Sequence, residues 1–297
     1  MEDLERLREA GAIARRVREG VYRIVKEGVK VIEVCEAVEE RIRELGAEPA
    51  FPCNVGINEV AAHYTSPPGD QTVIPPKSIV KVDIGVSLDG YIADTATTIS
   101  LNPELEVLAE ASRAVLHEAI KAMGPGVNVS KIGLVIQKTA NSLGFKPIRN
   151  LTGHEIKRYE LHAGLTIPNV AAPAPGKLQV NHVYAVEPFL TTMRGAGEVV
   201  SARLTTIFRA SPGKFKIKKL KPEEQRLLKY VVEKFKGLPY TPRWIENFDD
   251  EVEKAHERLV KLGRVHGYPV LVERFGQPVA QSEHTVVITE DGCEVIT

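Results

Sequence analysis

No run of apolar residues in this chain comes near the roughly 18 that a membrane-spanning helix needs. The N-terminal decapeptide MEDLERLREA is charged and patterned as a helix, without the apolar core of a secretory signal. Neither sign of charge is in excess, since 39 basic side chains balance 39 acidic ones. That balance excludes a protein whose whole surface serves nucleic acid or an anionic membrane, leaving only local patches. Cysteine is scarce. Cys35, Cys53 and Cys293 are too few and too scattered for a disulfide framework or a zinc ribbon, and read as free thiols of a reducing cytoplasm. Asparagine and glutamine together number 15 against 19 prolines, a composition that leans toward a heat-adapted source. No Gly-x-Ser-x-Gly nucleophile elbow is present, and Gly124-Pro125-Gly126 is followed by no phosphate-loop lysine.

What is there is 297 residues, 43% of them apolar, enough to bury a core without a structural metal. Helical periodicity runs through the first 27 residues and again from about Val31 to Leu45, with a stop at Gly46. Extended segments are expected around 50–57 and 79–100, and helices around 103–123 and 129–143, the last stopping at Gly144. A shift of 98 residues superimposes Arg15, Val17, Gly28, Val29 and Val31 on Arg113, Val115, Gly126, Val127 and Val129. The same shift carries Leu45, Gly46 and Pro49 onto Leu143, Gly144 and Pro147. One extra residue brings His63 to His162, and a few more bring Asp83 to Glu187. We read two similar α/β halves with helices outside, strands inside and a functional centre between them. From about Leu220 to Pro269 the pattern is helical and charged, an inserted subdomain with little in it that looks catalytic.

The chemistry concentrates in residues 79–99. Val80, Val82, Ile84, Val86 and Leu88 alternate with Lys81, Asp83, Gly85 and Ser87, and Asp89-Gly90 suits a two-residue type I′ hairpin. Such a turn pairs Asp83 with Ala96 and Gly85 with Asp94, so the two carboxylates sit diagonally on one face, about 7–8 Å apart at most. Two acids projecting together from apolar strands share a proton or hold a cation. His154, Glu187 and Glu283 stand at strand-like positions in the second half. Four carboxylates and one imidazole make an oxygen-rich set suited to hard or borderline divalent ions, and their charge matches two of them.

Asp83 and Asp94 in KVDIGVSLDGYIADTA, His154 in LTGHEIKRYELHAG, Glu187 in YAVEPF and Glu283 in AQSEHT resemble the type II methionine aminopeptidases, archaeal-like, along essentially the whole chain. FPCNVGINEVAAHYTSPPGD is similar to that family's substrate-binding region, and the helical insert is a type II feature. The resemblance implies a pita-bread α/β fold with pseudo-twofold halves, residues 1–211 and 270–297, and an inserted helical subdomain, 212–269. It implies two divalent ions (Co, Mn, Fe(II) or Zn) held by Asp83, Asp94, His154, Glu187 and Glu283, with Asp94 and Glu283 bridging. It further implies that His63 and His162 contact the substrate and its tetrahedral intermediate, that Glu187 moves the proton, and that Phe51 walls the methionine pocket. The activity implied is removal of the initiator methionine from nascent polypeptides in the cytoplasm when the second residue is small. Ser282 departs from the family, where an aromatic residue is usual, as does Cys53, where the position is commonly apolar.

Two other readings compete. Proline-directed aminopeptidases and dipeptidases share the ligand order, although they usually carry a larger N-terminal region than the residues before Asp83 provide. Lys214, Lys216, Lys218, Lys219 and Lys221, beside Phe215, form a basic run that would suit docking on the ribosome, or simply a solvated loop. A scaffold without catalysis would have no need of five ligands. No membrane partner and no sequence-specific nucleic acid are expected. His117, His182, His256, His266 and His284 read as structural.

Overall fold

The computed structural model describes residues 2–211 and 220–297. It opens with α1 (Glu2–Ile24) and α2 (Val31–Glu44). Ala10, Ala14, Val17 and Val21 on the first, with Val31, Val34, Cys35 and Val38 on the second, form buried stripes at helical spacing. Under them lies an antiparallel sheet ordered β1 (Glu48–Ile57), β3 (Ile79–Leu88), β4 (Tyr91–Ser100), while β2 (Val60–Ala62) joins another sheet. Val80, Val82, Ile84 and Val86 face the two helices in one cluster.

The second half repeats the scheme. Helices α3 (Glu106–Lys121) and α4 (Val129–Ser142) pack over β6 (Thr152–Ile156), β7 (Thr166–Pro168), β8 (Val183–Val186), β13 (His284–Ile288) and β14 (Cys293–Val295). The repeat read from the sequence is visible in the backbone. Gly28 and Gly126 have φ of 79° and 74°, and Gly46 and Gly144 have 85° and 82°, so each helix pair ends on matching left-handed turns that suit glycine. A small sheet of β5 (Phe145–Pro147), β9 (Phe189–Thr192) and β12 (Val279–Gln281) lies alongside.

The insert leaves from β10 (Val199–Ala210) and returns on β11 (Val265–Glu273), which pairs with β10 on one side and β2 on the other. Between them α5 (Pro222–Phe235) and α6 (Asp250–Lys261) close over their own core of Leu227, Leu228, Val231, Tyr240 and Leu259. Val265–Pro269, expected to be helical, is therefore strand; cross-strand pairing, which local pattern does not show, decides it. Glu283, expected at a strand-like position, lies with Ser282 at the break between β12 (Val279–Gln281) and β13, which belong to different sheets. A buried ion pair ties the insert to the first half. Arg243, in the turn after Tyr240, donates from both terminal nitrogens to Glu39 of α2 at 2.7 and 2.9 Å, and Trp244 Nε1 donates to the same carboxylate at 2.7 Å. Lys214, Lys216, Lys218 and Lys219 lie outside the described residues; Lys221 precedes α5, its N–H donating to Glu224. Among the described residues no helix is long and apolar enough to cross a membrane.

Candidate metal centre

Asp89 and Gly90 take φ of 53° and 87°, the two positive values of a type I′ turn. The β3–β4 register follows, with Asp83 opposite Ala96 and Gly85 opposite Asp94. Ala96 also bridges to Glu283, which sets the β12–β13 junction against β4. Threonines hold that seam together. Thr285 Oγ1 donates to the Asp94 carbonyl at 2.8 Å and accepts the Asp94 N–H at 2.7 Å, and Thr95 Oγ1 donates to the Glu283 carbonyl at 2.8 Å. Across the cleft, β6 carries His154 and β8 ends beside Glu187, with His154 paired to Ala185. Gly153 makes that pairing possible, because a Cβ there would lie 2.4 Å from the Ala185 carbonyl oxygen.

Ligand atoms of Asp94, His154 and Glu283 converge within 4.8 Å of one another, all buried. His154 Nε2 lies 3.6 Å from Asp94 Oδ2 and 3.6 Å from Glu187 Oε1. Asp83 completes the group, its charge raising the pKa of Asp94, Glu187 and Glu283. The structure thus brings Asp94, His154, Glu187 and Glu283 together between the halves, with Asp83 near enough for its charge to act on the other three acids. Burial, and then mutual repulsion, push the carboxyls of Asp94, Glu187 and Glu283 well above their usual range. Burial raises Asp83 to about 7. Burial and the neighbouring His162 lower His154 to about 3, so the imidazole is neutral and its approach to the acids is no ion pair.

Asp83 Oδ1 and Asp94 Oδ1 are buried and lack a hydrogen-bond partner, an arrangement that costs free energy unless a cation meets them. Separations of 3.6 Å are bridged by an ion with bonds of about 2.1 Å. The residues fit divalent metal, and the mix of carboxylate and imidazole suits a borderline ion. Gln281, unnoticed in the sequence, stands behind the acids, its Nε2 donating to Glu283 at 3.2 Å and to Glu187 at 3.4 Å.

The two non-ligand histidines also reach the cleft. His162 lies with its ring centroid 4.4 Å from that of His154, its pKa lowered to about 4 by burial and by His63 and Arg209. His63 sits at φ 64° just after β2, with Nδ1 3.3 Å from the Pro269 carbonyl oxygen. A carbonyl only accepts, so Nδ1 carries the proton and Nε2 is left as an acceptor. Phe51 lays its ring where a Gly85 side chain would be, 2.3 Å from the place of the missing Cβ. Gly85 faces Asp94, so the ring flanks the acids, in a cluster with Leu161 and Leu238 of the insert.

The sequence pattern of metallopeptidase family M24 matches residues 5–290. The chain belongs to that family. Methionine aminopeptidases of Thermococcus onnurineus and Saccharolobus solfataricus are 42% and 43% identical to it, across 100% of this chain and 100% and 98% of theirs. Among solved structures, the methionine aminopeptidase of Thermotoga maritima matches with a TM-score of 0.71 at 24% identity, over 100% of this chain and 96% of that one. A thermophilic Arx1 gives 0.88 at 20% identity, over 100% of this chain and 90% of that one. The prolidase of Pyrococcus furiosus gives 0.64 at 17%, over 100% of this chain and 64% of that one. The likenesses to solved structures speak for the fold, the pita-bread architecture of M24 metallopeptidases. This M24 chain is a metal-dependent hydrolase. Ser282 is accommodated, its hydroxyl buried and 2.7 Å from that of Ser112 on α3. Cys53 is buried, its backbone N–H donating to Glu39, and burial together with nearby groups that include Asp83 pushes its thiol pKa up.

Proposed function

We propose that this M24 chain removes the initiator methionine from nascent proteins in the cytoplasm, favouring those with a small second residue. One observation carries the reading: a buried Asp–His–Glu cluster stands beside an apolar wall of Phe51, Leu161 and Leu238. Asp83, Asp94, His154, Glu187 and Glu283 would hold two divalent ions, with Co, Mn, Fe(II) and Zn all compatible. Such ions supply Lewis acidity toward a water and toward the scissile carbonyl. Methionine's side chain enters against Phe51. Glu187 accepts the water's proton and returns it to the leaving amine. Neutral His162 donates to the oxygen that gains charge, and His63 Nε2 accepts the amide N–H. We place the catalytic unit in 1–211 and 270–297 and give the insert, 212–269, the role of closing the pocket through Leu238.

The test is release of methionine from Met-Ala-Ser by metal-stripped protein with each ion restored, against Gly-Pro. Methionine release dependent on added ion supports the reading. Preference for Gly-Pro replaces it with the proline-directed alternative, whose structural relative the chain matches over only 64% of its length. The lysine-rich run 214–221 supports, by its charge, docking on the ribosome. Replacing Lys214, Lys216, Lys218, Lys219 and Lys221 with glutamine is then expected to weaken co-sedimentation with ribosomes; unchanged binding removes the idea.

A further inference from the structure

The wall of the cleft beside His63 carries a charge that the proposed reaction does not use. In the β10–β11 ladder Ile207 faces Tyr268 and Arg209 faces His266, so these four side chains share one face of the sheet. That face looks into the cleft, because the Tyr268 ring lies 5.7 Å from His63 and 5.4 Å from His266. Phe208, on the other face, packs against His256 at 4.6 Å inside the insert. Arg209 is close enough to His162 and to Tyr268 for its charge to lower the pKa of both.

Arg209 Nε is buried without a hydrogen-bond partner, and no carboxylate among the described residues pairs with its guanidinium. A buried donor of a charged group is costly to leave unmet, and a structural arginine would be expected to find an acid, as Arg243 finds Glu39. The free N–H and the uncompensated charge together call for an anionic acceptor that is not part of the chain. Methionine is taken on the Phe51 side, whereas Arg209 shares its wall with Tyr268, next to His63. What it meets is the leaving half of the substrate.

Building on the proposed function, we infer that Arg209 is a specificity-determining residue that draws peptides carrying a carboxylate shortly beyond the scissile bond, such as an acidic third residue. The guanidinium donates to that carboxylate and has no role in moving protons. A like-charged lysine at the same substrate position is repelled.

The experiment compares amidated Met-Ala-Glu-Gly and Met-Ala-Lys-Gly on metal-reconstituted wild type, Arg209→Lys and Arg209→Met. The amide removes the terminal carboxylate, and the ratio of the two substrates on one protein cancels any loss of folded material. Wild type should favour the glutamate peptide about tenfold in kcat/KM, mostly through KM, as one unscreened charge in a partly buried cleft allows. Arg209→Lys keeps most of that ratio, while Arg209→Met brings it to within about twofold. Calorimetric binding of the amidated products Ala-Glu-Gly and Ala-Lys-Gly should show the same discrimination without turnover. A wild-type ratio near one, or a preference that survives Arg209→Met, overturns the inference and leaves methionine removal standing. Failure to release methionine from either peptide defeats the proposed function, and product binding then decides the role of Arg209 on its own.

Discussion

Single residues govern the centre through the space they leave as much as through the groups they bring. Gly153 has the carbonyl of Ala185 where its Cβ would be, and a backbone oxygen cannot step aside as a side-chain end does. Gly153→Ala should therefore separate β6 from β8 and displace His154, costing about 1–3 kcal/mol by overpacking. Because the displaced residue is a candidate ligand, metal affinity should fall further than stability does. Calorimetric titration with Mn beside a thermal melt checks this, and unaltered affinity in a destabilised protein would contradict it. Asp94→Ala should abolish both ion binding and methionine release. Much of this was legible in the sequence. Asp89-Gly90 fixes the hairpin, and the hairpin brings Asp83 and Asp94 together by counting alone. Gln281 and Arg209 were not legible, since an isolated amide or guanidinium has no pattern until the partner strand and its register are known.

Elements were readable to the extent that their own period reports burial. The four helices of the two halves show in the sequence because each buries a stripe, and α2 and α4 stop at Gly46 and Gly144. Strands of three residues, such as β2, β5, β7 and β14, are too short to display alternation, and β10 and β11 are broken by register shifts. The attachment of the insert is likewise a tertiary fact. Glu39 and Arg243 are separated by most of the chain, yet their side chains are only 2% and 9% exposed. Arg243→Met would leave Glu39 buried with its charge unmatched, a loss of about 3–5 kcal/mol in urea unfolding. Glu39 would still accept from Trp244 and Cys53, so the insert should loosen first and show it as faster amide exchange in α5 and α6. Acid acts on the same element. Burial lowers His256 to about 4, so the stability it contributes is present above the unfolded value near 6.5 and is lost as pH falls through 4. Replacing His256 with phenylalanine should flatten that part of the insert's pH profile.

For the molecule as a whole, the acids of the cleft link metal, protons and folding. Their raised pKa values mean that the metal-free protein gains stability from protonated carboxyls, fully below pH 4, and loses it as pH rises through the folded values, which for Asp83 is about 7. A cation must displace those protons, so affinity should rise with pH and binding should release protons. Calorimetry at pH 6 in buffers of different ionisation enthalpy measures the number released; a value of zero would show that the carboxyls are already ionised. The twofold plan was legible as a repeat, because matching helix stops are local features. The meeting of the halves was legible only as an expectation, since it depends on strands far apart in sequence.

The bridge between Ala96 and Glu283 joins β4, the last strand of the first half, to the junction of β12 and β13. During synthesis every other ligand emerges long before the partner that completes it. A chain made only as far as β10 therefore lacks Glu283, and the ligand set closes only once β12 and β13 have been made and set against β4.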